Sequence, residues 1–150
     1  MSATREQNLT AALAEVKAEI TRTDSKTALL LAFVGAVLAG MWTVARELPL
    51  TVPAYVAGGA GLVALVGAAG LLLLSVRPNL SGRHGFPLWA TLTAEEIKEV
   101  TDARDLAADI GGLSRLAVAK FRGLRRAVNL TLAGGALLIA AALLTAGGAA

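Results

Sequence analysis

The chain has 150 residues, 55% of them hydrophobic and only 17% charged, a composition wrong for an ordinary soluble domain of that length. It contains no cysteine, which excludes disulfides, thiolate metal sites and cysteine nucleophiles. The formal net charge of +3 does not point to nucleic acid, because much of the basic charge lies beside long uncharged segments, where it would meet anionic lipid head groups.

Residues 1–26 predict an amphipathic helix: Leu9, Leu13, Val16 and Ile20 recur at intervals of four, three and four, which places them on one stripe. Residues 27–45 follow as a first membrane span. No Asp, Glu, Lys or Arg occurs from Thr27 to Ala45, from Leu48 to Val76 or from Ala127 to Ala150, runs of 19, 29 and 24 residues. About 20 apolar residues, rising ~1.5 Å each, cross a bilayer core of ~30 Å, so all three runs qualify. A soluble bundle is a poor alternative, since 150 residues leave too little surrounding protein to cover three such helices. A cleaved signal peptide also fits the first run poorly. Four acidic residues (Glu6, Glu15, Glu19, Asp24) precede it, although Thr43-Val44-Ala45 has small side chains suited to cleavage.

Residues 46–52 read as an external hairpin in which Pro49 and Pro53 break the helix. The second span is expected over 53–76, with Pro53 in its first turn, where a missing N–H costs nothing. Trp42 and Tyr55 sit near that face as amphipathic rings at a head-group boundary would, and Phe86 and Trp89 suit the opposite face. Small residues at four-residue spacing would let spans approach closely: Gly35, Ala36, Ala39 and Gly40 in the first, and Ala57 with Gly61, then Ala60, Ala64 and Ala68, in the second.

The segment 77–126 holds a loop and helices. One helix begins at Thr93, where Thr-x-x-Glu to Glu96 makes a capping box. Acidic residues from Glu95 to Asp109 then give way to Arg115, Lys120, Arg122, Arg125 and Arg126 around Gly111-Gly112, which reads either as a hinge or as a place of close packing. A second stripe runs through Leu106, Ile110, Leu113, Ala117, Phe121, Leu124 and Val128 into a third span over 127–148. Lys and Arg number four in residues 1–26, one in the hairpin and nine in 77–126, so the N-terminus and the long segment are expected in the cytoplasm. The fold class expected is therefore all-α, an integral membrane protein with three transmembrane helices and cytoplasmic helical extensions of the first and third spans.

Enzyme chemistry is not expected. His84 is the lone histidine, and neither a Gly-rich phosphate loop nor a His-Glu-x-x-His motif is present. No ionisable residue lies within a span, which removes the usual marker of a proton or ion pathway. No cofactor or metal is expected. Arg115, Lys120 and Arg122 are candidate ligands for an anion, guanidinium groups being well suited to phosphate, while lipid anchoring is the plainer role for such a cluster. Asp24, near the start of the first span, is placed to pair with Arg122 or Arg125; Asp24, Lys26 and Arg125 are then candidates for an interhelix latch, while a partly exposed ion pair that only fixes register is the plainer role.

Two stretches carry a family resemblance: RTDSKTALLLAF (Arg22 to Phe33) and DLAADIGGLSRLAVAKFRGLRRAV (Asp105 to Val128). The first resembles the Asp-x-Lys-Ala element of the transmembrane effectors of Pycsar antiphage systems, with Thr27 standing where alanine often follows the lysine; the second resembles that family's helix before the last span. The resemblance implies a bacterial inner-membrane effector, an oligomer in the lipid bilayer, that responds to cyclic CMP or cyclic UMP from a partner pyrimidine cyclase. Activation would impair the membrane and stop growth of the infected cell. The alternative is a non-enzymatic structural or interaction protein, such as a membrane component of a plasmid-transfer apparatus.

Overall fold

The computed structural model describes residues 2–45, 51–77, 86–102 and 105–147. Among the described residues there are five helices, α1 (Ser2–Ala45), α2 (Val52–Val76), α3 (Phe86–Trp89), α4 (Ala94–Asp102) and α5 (Leu106–Gly147), and no strand. The expected all-α class holds. α1, α2 and α5 are each long and apolar enough to cross a membrane.

The helix ends follow from local chemistry. α2 starts with the Tyr55 N–H donating to the Thr51 carbonyl, and Pro53 occupies its first turn. It closes at Val76, and the proline at 78 disfavours helical backbone in Arg77 before it. At α4 the capping box forms as expected: the Glu96 N–H donates to Thr93 Oγ1, and the Thr93 N–H donates back to Glu96 Oε2 at 2.8 Å. The helix that begins there is shorter than the charge pattern suggests, because Asp105 starts a separate one. Its Oδ1 accepts from the N–H groups of Ala107 and Ala108 at 2.9 and 3.2 Å, so it caps α5.

Two compact units divide the chain, one of Met1–Ile20 with Arg77–Ala117, the other of Thr21–Val76 with Val118–Ala150. In the first, Leu13 is buried and Leu9, Val16, Ile20, Leu106, Ile110, Leu113 and Ala117 are half-buried, as the two stripes require. α5 runs without a break through Gly111-Gly112, and a Cβ on Gly112 would meet nothing within 4 Å. Neither a helix break nor a close contact is found at that pair.

The second unit holds the apolar parts of α1, α2 and α5. Its covered residues recur every three or four positions: Thr23, Thr27, Leu30, Val34, Val37 and Met41 on α1; Ala54, Gly58, Gly61, Leu65, Ala68 and Leu72 on α2; Lys120, Leu124, Ala127, Thr131, Gly134, Leu138 and Ala141 on α5. An alternating four-three rhythm averages 3.5 residues, the spacing that keeps one seam facing its neighbours along a bundle. Val34, Leu65 and Leu138, one from each helix, make the centre, with Leu30, Val37, Leu38, Met41 and Ala69 packed around them.

α2 and α5 run antiparallel, since Gly58 lies opposite Ala141, Gly61 opposite Gly134 and Leu138, and Gly67 opposite Leu130. Their closest approach is at Gly61 and Gly134, where a Cβ on either glycine would lie 2.9 Å from the other's carbonyl oxygen. This is the small-residue approach expected of membrane helices, but with different members. Gly35, Ala36, Ala39 and Gly40 of α1 are exposed, as is Ala60, whereas Gly61 and Ala68 are buried and Ala57 and Ala64 half-buried.

The outside of these helices is apolar. Leu29 is 73% exposed and Val63 72%, with Phe33, Leu132, Ile139 and Leu143 also exposed. Only 11–22% of the most apolar window of each span is buried by protein. Water would not tolerate such a surface on a stable monomer, and lipid does. Trp42 and Tyr55 are exposed near the ends of α1 and α2, as rings of an interfacial belt are.

Candidate functional site

The polar chemistry of the second unit concentrates where α1 and α5 take up their apolar character. Lys120 occupies a seam position of α5, and its Nζ donates to Asp24 Oδ1 of α1 at 2.6 Å. The lysine side chain is 19% exposed and the aspartate 40%. The ion pair is therefore set into the seam and opens to solvent on the carboxylate side.

The sequence suggests Arg122 or Arg125 as the partner of Asp24, and the seam explains the difference. The sequence stripe steps from Ala117 by four to Phe121, whereas the helix keeps the three-residue step and brings Lys120 inward. Phe121, Arg122 and Arg125 are consequently exposed, as is Lys26. Of the three expected latch residues only Asp24 takes part in the interhelix pair. Lys120, an expected anion ligand alongside Arg115 and Arg122, is its partner.

The pair is bordered by buried hydroxyls. Thr23 and Thr27 precede and follow Asp24 on α1 and are 1% and 0% exposed. Thr27 Oγ1 donates to the Thr23 carbonyl at 2.8 Å, and Thr131 of α5, also buried, donates to the Ala127 carbonyl at 2.9 Å. Back-bonding to the preceding turn satisfies a hydroxyl inside its own helix, so Thr27 and Thr131 need no partner across the interface. Sequence reasoning missed Thr23, Thr27 and Thr131; their positions in the 3.5-residue rhythm were the available signal.

The remaining candidate cations fall into two groups. Arg122, Arg125 and Arg126 are exposed in the second unit just before the third span, in position for lipid phosphates or a soluble anion. Arg115 belongs to the first unit and is exposed there, its Nη1 3.9 Å from where a Cβ on Gly111 would stand. His84, Arg46, Glu47 and Pro49, and the side chain of Phe86, lie outside the described residues. No group of three or more metal-ligating side chains occurs among the described residues. In the first unit the capping hydrogen bonds from the Thr93 backbone and hydroxyl hold the Glu96 carboxyl below the usual carboxylate range.

Comparison with known families decides the relationship. The model of the Pycsar effector protein domain matches residues 8–147, which takes in all three spans and the ion pair. The chain belongs to the Pycsar effector family. No curated protein and no solved structure matches it. As a Pycsar effector, it is a multi-pass membrane protein with an antiphage effector role, built for the bilayer by α1, α2 and α5.

Proposed function

We propose that this Pycsar effector impairs the inner membrane when a partner cyclase signals with a cyclic pyrimidine nucleotide, and that the infected cell then stops growing. The observation that carries the reading is the extent of the family match, residues 8–147, over a chain with three spans. A molecule composed in this way has the bilayer itself as the natural place of action. The chain acts without enzymatic chemistry of its own, by rearranging its helices.

The basic bias of residues 1–26 and 77–126 favours an N-terminus in the cytoplasm, where the signal is made. Cyclic CMP or cyclic UMP carries one phosphodiester anion, which suits an exposed guanidinium group such as that of Arg122 in the second unit. Lys120 contributes to such a response through its pair with Asp24. A single three-helix chain offers no passage of its own, since α1, α2 and α5 fill their centre with Val34, Leu65 and Leu138. The active form is accordingly an oligomer.

The test is co-expression with an active or an inactivated pyrimidine cyclase under phage challenge. Growth arrest and protection are expected only with the active cyclase. Equal growth in both strains, with protein and nucleotide verified, removes the effector reading and favours a structural membrane component such as a transfer-apparatus protein.

A further inference from the structure

We infer that Asp24 and Lys120 form a clasp that keeps α1 and α5 together in the resting effector, and that activation opens the seam at this level. The inference rests on the effector reading for its second half; the first half stands on geometry. Farther along the spans the three helices are held by Val34, Leu65 and Leu138 and by the tight fit of Gly61 on Gly134. At the level of Asp24 the seam of α1 is built from polar side chains instead. The α1 seam there consists of Thr23 and Thr27, and the hydroxyl of Thr27 is spent within its own helix. The α5 seam offers a lysine where the rhythm calls for an apolar residue. An ion pair 2.6 Å long crosses the interface at this level.

Such an arrangement is stable only while both partners are present. A mostly buried ammonium that loses its carboxylate must regain water, and the long lysine stem can carry it out of the seam only if the helices part. A purely apolar residue in its place would hold the seam without help from Asp24. The clasp therefore predicts that the two partners behave oppositely: loss of the carboxylate opens the seam, whereas loss of the ammonium to an apolar side chain of similar length keeps it shut. A simple attractive pair would lose the same interaction in either variant.

The experiment uses Asp24→Asn, Lys120→Met and the double variant in the full chain. Because the sequence has no cysteine, nitroxides can be attached at cysteines placed at the exposed positions Ser25 and Phe121, next to each partner. Dipolar broadening between the labels in nanodiscs reports the α1–α5 separation, and a potential-sensitive dye reports membrane damage in cells. Asp24→Asn is expected to lose the broadening and to depolarise cells without a cyclase. Lys120→Met should keep the broadening and ignore an active cyclase. The double variant should recover the broadening and leave cells polarised, which also shows that Asp24→Asn had folded.

Wild-type broadening in Asp24→Asn, or persistent depolarisation in the double variant, overturns the clasp. If broadening follows the expected pattern but Asp24→Asn leaves cells polarised while the wild type responds to cyclase, the proposed opening on activation is wrong. If the wild type itself does not respond to an active cyclase, the effector reading fails instead, and the activation half of the inference falls with it. The broadening then decides the clasp alone: its loss in Asp24→Asn and return in the double variant uphold it, and any other pattern overturns it.

Discussion

Replacing Gly61 by alanine puts a methyl group where α2 and α5 come close together. Its Cβ would lie 2.9 Å from the Gly134 carbonyl oxygen and 3.1 Å from both Cγ and Cδ2 of Leu138. Carbon atoms prefer about 3.5–4.0 Å, so the leucine contacts are roughly 0.4–0.9 Å too short. Leu138 can move; the carbonyl oxygen belongs to the α5 backbone and cannot move without its helix. α2 and α5 must then separate by several tenths of an ångström, and a gap of 0.5–1 Å forfeits about a quarter to a half of each dispersion contact. Overpacking of this kind costs about 1–3 kcal/mol, against which the better helix propensity of alanine returns up to ~1 kcal/mol. The net expectation is a loss of about 1–2 kcal/mol for Gly61→Ala, and the same for Gly134→Ala, whose methyl would meet Leu65 Cγ at 2.9 Å. The double variant should cost less than the sum, because the first separation makes room for the second methyl. Gly59→Ala is the control, with nothing within 4 Å of its Cβ. Equilibrium unfolding in mixed micelles measures all four. Gly61→Ala as stable as Gly59→Ala would refute the α2–α5 fit.

Three further outcomes follow from local geometry. Asp105→Ala should weaken the start of α5 by about 1 kcal/mol, seen as faster amide exchange at Ala107 and Ala108, whose N–H groups it caps. The depressed Glu96 carboxyl makes the α4 capping contribution fully present above the unfolded carboxylate range and lost as pH falls through the folded value. The Glu96 and Ile97 amide shifts should therefore titrate with a midpoint below that of an unperturbed glutamate, whereas Glu96→Gln should show no such transition. In a variant with Trp89→Phe, Trp42 fluorescence should be quenched more by lipids brominated near the head group than near the chain end, as befits an exposed ring at a span end.

Much of this fold was legible because apolar length and charge exclusion are blunt signals. The apolar stretches of α1, α2 and α5 fall within the three uncharged runs, and Thr-x-x-Glu closed the capping box at Thr93 and Glu96. What sequence periodicity blurred was phase. A stripe stepping from Ala117 to Phe121 looks natural because phenylalanine is apolar, yet continuous four-three packing selects Lys120, a residue that hydropathy assigns to the surface. With that one-residue shift went the identity of Asp24's partner. Small residues misled in the same way: alanine and glycine are frequent on every face, so composition could not separate Gly61 and Gly134, which touch, from Gly35 and Gly40, which meet nothing. The stripe from Leu106 marked the start of α5, but its cap was missed because Asp105 sits in an acidic run where a cap resembles its neighbours.

The most direct measurement of the central claim is membrane potential in living cells that carry this Pycsar effector beside an inducible pyrimidine cyclase. Within the time the nucleotide accumulates, and before growth stops, the potential is predicted to collapse, with no collapse when the cyclase is inactivated. Accumulated nucleotide and abundant membrane-inserted protein with an unchanged potential would contradict the account.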